Sequence, residues 1–179
     1  LFHQIEKYHE YANGKAVIDY SFHGVLQHVD DHILEQIPLL ADQGITSLKA
    51  YMTYDKMLTD NMLLNVLKKA KENKVLVAVH AEDDAMIQNL RKRFISQGKK
   101  EPIYHARSRP ATAEANAIKR VIELSLKAGN APVYVVHLST EEGLSIIKKA
   151  KAKGQNIIAE TCPQYLLLDQ DLYSLPNHE

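Results

Sequence analysis

Two histidines and one lysine stand within or at the ends of apolar stretches of this sequence. His80 closes the run KVLVAVH, and His137 lies in PVYVVHLS. An imidazole held at the end of a rigid strand is a good nitrogen donor to a metal ion. Two such donors meet in one cavity if their strands run parallel. A single strand-end histidine is more often a hydrogen-bonded core or surface residue, and only its recurrence at equivalent places raises the metal reading. Two histidines alone still leave zinc short of its usual four ligands. Lys49 lies inside SLKAYMTY, between Leu48 and Ala50. Burying its ammonium is unfavourable. The ordinary expectation is therefore that it snorkels to the strand end or pairs with a carboxylate. The alternative is that burial lowers its pKa and leaves a neutral amine. Such an amine can form a Schiff base, act as a base, or add carbon dioxide to become a carbamate. The carbamate is an anion with two oxygens, able to bridge two metal ions as a carboxylate does.

These side chains need a scaffold, and the pattern supplies one. The segment Leu1 to Tyr11 reads as a helix closed by the Asn13-Gly14 turn, and AVIDYSF as a short strand leading to His23. Helices are expected over Val29 to Gln43, Asp60 to Glu72, Glu82 to Gln97, Thr112 to Ala128 and Glu141 to Lys153. Each has apolar residues at helical spacing, and several end at a glycine. Between them lie the strands SLKAYMTY, KVLVAVH, PVYVVHLS and NIIAETC, and a loop contains Pro102 and Pro110. Apolar strands alternating with amphipathic helices predict an α/β fold with about five parallel strands covered by helices. No G-x-G-x-x-G turn or phosphate-binding G-x-x-x-x-G-K-[ST] loop is present. Five strands are too few for a closed (β/α)8 barrel, which takes about 250 residues. The alternatives are a small open α/β domain or part of a TIM-type barrel, with residues 1–179 as one unit. In either, the carboxyl ends of the strands carry the site.

Composition narrows the partners. The 22 Lys and Arg balance 22 Asp and Glu, which predicts neither nucleic acid nor a membrane surface as partner. The single Cys162 excludes an internal disulfide and a cysteine-rich zinc cage. No apolar run approaches the roughly 20 residues that span a bilayer. The first residues lack the pattern of a signal peptide, so the cytoplasm is the expected compartment. The chain opens on Leu1 rather than methionine, as expected of a piece of a longer chain.

Taken in order, SLKAYMTY, VAVHAED, PIYHARSRP, VYVVHLS and AETCPQYL resemble the dihydropyrimidinase/hydantoinase family of the amidohydrolase superfamily. The resemblance runs from IDYSFH to TCPQYLLLD. It implies a (β/α)8 barrel of which this chain supplies the third to the seventh strand. It implies hydrolysis of a small cyclic amide or imide, a dihydropyrimidine or hydantoin, at two divalent metal ions, usually zinc. Lys49 matches the carboxylated lysine that bridges the metals. His80 and His137 match two ligands of one metal. Tyr54 matches the tyrosine that holds substrate and stabilises the tetrahedral intermediate. A homotetramer or homodimer is implied as well.

Some of the family pattern is missing. There is no H-x-H pair in the 179 residues, and the catalytic aspartate of the last strand would lie beyond Glu179. The chain by itself is therefore expected to open no ring. Dihydroorotases and allantoinases share the metal core, but Tyr54, five residues after Lys49, and the IYHARSRP loop favour the dihydropyrimidinase branch. Non-catalytic dihydropyrimidinase-like assembly proteins lose metal ligands, whereas Lys49, His80 and His137 are all present. A metal-free α/β binding domain is the remaining alternative. Glu82 either orients His80 or caps the next helix. Arg109 is expected to order its loop or a subunit contact, and His23 to be structural or to support the ligands. Cys162 reads as a small buried hydrophobe, and His3, His9, His28, His32 and His178 as surface residues.

Overall fold

The computed structural model describes residues 1–175; His178 lies outside the described residues. Five strands, β1 (Gly24–Val25), β2 (Ser47–Tyr51), β3 (Leu76–His80), β4 (Val133–Val135) and β5 (Ile157–Ala159), form one sheet. They pair in chain order and every pairing is parallel. A doubly wound sheet reverses its strand order at a switch point, and this one never does. Crossovers of one hand that always step the same way put their helices on one side, as in a (β/α)8 barrel.

The register shows which side. Leu48, Val77, Val133 and Ile157 stand side by side across four strands and are all sealed from solvent. They pack against a helix layer of α2 (Asp31–Asp42), α3 (Asp60–Glu72), α6 (Ala111–Lys127) and α7 (Glu141–Ala152). Ile37, Leu63, Leu67, Ile118 and Ile147 come from those helices into the same core. The neighbouring row is Val25, Lys49, Ala78, Tyr134 and Ile158. It points to the opposite face, where Ile158 is 41% exposed. Alternation along β2 therefore sends Leu48 and Ala50 into the core and Lys49 and Tyr51 out of it.

Side-chain caps start the helices directly after the strands. Asp30, Thr59, Asp83 and Thr140 each accept a bond from a backbone amide three residues on. The β-to-α connections are thereby pinned at the carboxyl edge of the sheet. α4 (Asp84–Ser96) and the five-residue α5 (Ile103–Arg107) follow β3 there, before α6 leads back to β4.

Several expectations are corrected. AVIDYSF forms no strand. Val17 and Ile18 are 95% and 80% exposed, and among the described residues no strand pairs with them. Phe22 turns instead onto α1 (Phe2–Ala12), against Tyr8 and His9. β1 begins after His23, so His23 sits at the amino end of the sheet, with Nδ1 2.7 Å from the Ser47 hydroxyl. It is remote from the carboxyl edge and supports no ligand. The loop between Pro102 and Pro110 holds α5, and β2, β4 and β5 stop short of Tyr54, His137 and Cys162. Cys162 is partly rather than fully buried. Among the described residues no helix is long and apolar enough to cross a membrane.

Candidate metal and catalytic site

His80 is the last residue of β3, and strand pairing places it beside Tyr51 of β2. His137 lies two residues past β4, at φ +43°, in the left-handed region that a non-glycine residue enters only when its surroundings hold it there. The Leu138 amide donates to the Glu160 carbonyl at 2.7 Å on one side of the turn. On the other side, the Glu114 carboxylate of α6 accepts from the Ser139 and Thr140 amides at 3.0 and 2.9 Å and from both hydroxyls. This grip turns the His137 ring toward His80, and Nδ1 of His80 lies 2.8 Å from Nε2 of His137.

The other nitrogen of His80, Nε2, is 2.9 Å from Glu82 Oε2. The carboxylate accepts the Nε2 proton, which fixes the tautomer and leaves the Nδ1 lone pair facing His137. Glu82 thus orients the histidine, and the capping alternative falls because Asp83 caps α4. Burial, followed by the nearby charges of His80 and Lys49, pushes the His137 pKa down and keeps its ring neutral. Lys49 is half-buried, with Nζ 5.2 Å from the centre of the Tyr51 ring. Desolvation lowers its pKa to about 8, and the charge of Glu160 only partly opposes this. Tyr54 turns at φ +73° just beyond β2, with its ring centre 5.1 Å from that of His80. Burial and the Glu82 charge raise its pKa, while the Arg109 charge acts against them.

Tyr54, His80 and His137 are therefore brought together, and Lys49 lies near enough for its charge to act on His137. Tyr54, His80 and His137 line a cavity of about 190 Å³ with Glu82, Arg109 and Glu114. Glu114 had no signal in the sequence beyond an acidic residue in a helix's first turn. Zinc–imidazole bonds of about 2.0–2.1 Å in a tetrahedral shell separate two ligand nitrogens by about 3.3 Å. The facing His80 and His137 nitrogens fit that after opening by roughly half an ångström. Among the described residues no three His, Cys, Asp or Glu side chains cluster to hold a metal. Among the described residues, Lys49 is the remaining candidate for a third ligand beside the imidazoles.

A singly wound parallel sheet with imidazoles, an amine and a phenol at its carboxyl edge is part of a TIM-type barrel with an enzyme's arrangement of groups. The chain is 50% identical to a D-phenylhydantoinase of Escherichia coli O9:H4 (strain HS) over 173 residues, covering 97% of this chain. It spans about 38% of the length of that relative. Among solved structures, the D-hydantoinase from a Bacillus sp. AR9 superposes on 100% of the chain with a TM-score of 0.96 and 42% identity. The dihydropyrimidinase from Brevibacillus agri NCHU1002 gives 0.96 and 42% over 99% of the chain. This chain covers 40% and 39% of those two proteins respectively. No protein-family model matches. The chain belongs to the dihydropyrimidinase/D-hydantoinase family of cyclic amidohydrolases.

Proposed function

We propose that the full-length protein opens a dihydropyrimidine or hydantoin ring by hydrolysis at a two-metal centre, to which this chain contributes Lys49, His80 and His137. The observation that carries the reading is the approach of His80 Nδ1 and His137 Nε2 to 2.8 Å. The names of the relatives support the substrate class. Two divalent ions, zinc in this reading, would supply Lewis acidity and a hydroxide at neutral pH. The missing ligands belong to an H-x-H pair that these residues do not contain.

The chain's own groups suit their parts. Glu82 holds the Nε2 proton of His80 and so aims the bare Nδ1 into the cavity. The depressed pKa of His137 keeps its lone pair available. With a pKa of about 8, roughly a tenth of Lys49 is neutral at pH 7, roughly 300-fold more than for an ordinary lysine. That amine can add to carbon dioxide: the N–C bond forms, a C=O electron pair moves onto oxygen, and an amine proton leaves to solvent. The resulting carbamate has the charge and the two oxygens of a bridging ligand. Tyr54, with its pKa raised, retains its proton and can donate it in a hydrogen bond to the developing oxyanion. The same reading carries a homodimer or homotetramer, which light scattering checks.

The test is ring opening of dihydrouracil and of a 5-substituted hydantoin by the full-length protein with zinc and bicarbonate. Tyr54→Phe should lower kcat by about 10²–10³ and change KM little. His80→Ala and His137→Ala should release metal. A full-length protein that neither binds a divalent ion nor opens either ring overturns the proposal.

A further inference from the structure

Arg109 lies two residues past α5, and its side chain is only 17% exposed. Nη1 is 3.4 Å from the His105 carbonyl oxygen, 3.3 Å from the Ser108 hydroxyl and 3.3 Å from His105 Nδ1. These contacts fold the side chain back over α5. Its Nε faces Glu82 Oε2 at 3.7 Å. That oxygen is the one that takes the His80 Nε2 proton. Arg109 and Tyr54 line the same cavity. One guanidinium thus meets, at the wall of that cavity, the carboxylate that orients His80.

A guanidinium suits this place because its donors are fixed in one plane and its charge does not titrate. A lysine would supply the charge without the geometry. The contacts to Ser108 and His105 belong to Arg109's own loop, and they anchor the head group. The contact to Glu82 reaches the turn after β3. A residue that only ordered α5 would need the first set and not the second.

We propose that Arg109 is a positioning residue that fixes Glu82 relative to His80, acting through Glu82 rather than by touching substrate. The proposal deepens the function above and rests on it for one of its two readouts. The first readout needs no metal. In the full-length protein labelled with ¹⁵N-histidine, the Nε2 proton of His80 should give a downfield resonance protected by Glu82. Its exchange with water should accelerate by at least about tenfold in Arg109→Gln and Glu82→Gln, and be only partly restored in Arg109→Lys, which supplies the charge without the planar donors. The second readout is cobalt(II) affinity by chelator competition. Arg109→Gln and Glu82→Gln should each weaken it by about 10–100-fold. The double variant should be no weaker than the worse single one, because both act through one bond.

Cooperative thermal unfolding of each variant separates these effects from misfolding, and Arg109→Lys, in which exchange should still be faster than in wild type, carries the test if Arg109→Gln does not fold. Unchanged His80 proton exchange in Arg109→Gln, or additive losses in the double variant, would overturn the assignment. A wild-type protein that binds no cobalt would sink the functional reading instead, and the proton exchange would still decide the role of Arg109.

Discussion

Glu114 makes the most concentrated set of side-chain bonds near the site, and Glu114→Ala tests what they do. Its carboxylate accepts from two backbone amides and two hydroxyls of Ser139 and Thr140. When it is removed the hydroxyls can turn to water, whereas the amides are fixed by the chain. A bond from an amide to a charged acceptor contributes about 1.5 kcal/mol or more, and the exposure of Ser139 lowers its share. The expected loss is about 2–3 kcal/mol of local stability, concentrated in the turn after His137. By the same conversion, the amides of Ser139 and Thr140 should exchange with solvent roughly 30- to 150-fold faster under native conditions. Exchange read by mass spectrometry on peptides spanning this turn is the assay, with peptides from β2 and α3 as unchanged controls. Glu114→Gln keeps one accepting oxygen but presents an N–H to a donor, so it should recover about half of the effect in energy. The turn needs this grip because His137 holds a left-handed conformation that costs about 1–3 kcal/mol for a residue with a side chain. An acceleration below threefold in Glu114→Ala would refute it.

Further expectations can be checked on the same protein. Lys49 has its folded pKa lowered to about 8. Between pH 8 and about 10.5 the unfolded chain binds a proton that the folded chain has released, so stability rises with pH across that window. Below pH 8 the penalty is fully present. In metal-free, bicarbonate-free protein, the stability gained by Lys49→Met should shrink steadily from pH 8 to 10.5 in urea titrations, and a constant gain would count against the burial of Lys49. Gly143→Ala should destabilise by about 1–2 kcal/mol, because the added methyl would meet Ile118 Cδ1 at 2.7 Å, Leu138 Cδ1 at 2.9 Å and Thr140 Oγ1 at 2.9 Å. Denaturation midpoints decide it, and a neutral result would mean that α7 shifts freely on α6. Arg120→Ala should lie within about 0.5 kcal/mol of wild type by the same measurement. Its pair with Asp60, 2.5 Å apart, joins two side chains about half exposed, and water can replace it.

The parts of this structure that were legible in the sequence depend on local periodicity; the rest depends on what packs against what. β2, β3 and the five long helices after α1 lie close to where apolar spacing puts them, since burying one face suffices to define each. AVIDYSF failed because β-rich composition is not a pairing partner. Gly24 and Val25 reach Leu48 and Lys49, whereas Val17 and Ile18 remain in solvent. α5 escaped because five residues between two prolines give too little helical period to read. Within the site, Lys49 and His80 showed through because a cation or imidazole among apolar residues is anomalous where it stands. Glu114 and Arg109 did not. A glutamate in a first helical turn and an arginine before a proline are ordinary, and their partners at positions 139, 140 and 82 lie 25 or more residues away.

The division has a physical basis that bears on how such sites are built. A ligand or nucleophile must break the apolar pattern of the strand that carries it, so it announces itself in one dimension. A residue that aims the ligand sits on a neighbouring element, where polar side chains are expected anyway. His80 illustrates both cases. Its position follows from β3, its tautomer from Glu82, and the placing of Glu82 from Asp83, which takes the capping of α4 upon itself. Had Glu82 capped the helix, the Nε2 proton of His80 would lack its acceptor and nothing would select Nδ1 as the bare nitrogen. One acidic residue on each duty, in the order Glu82-Asp83, converts a strand-end histidine into a donor with a fixed direction.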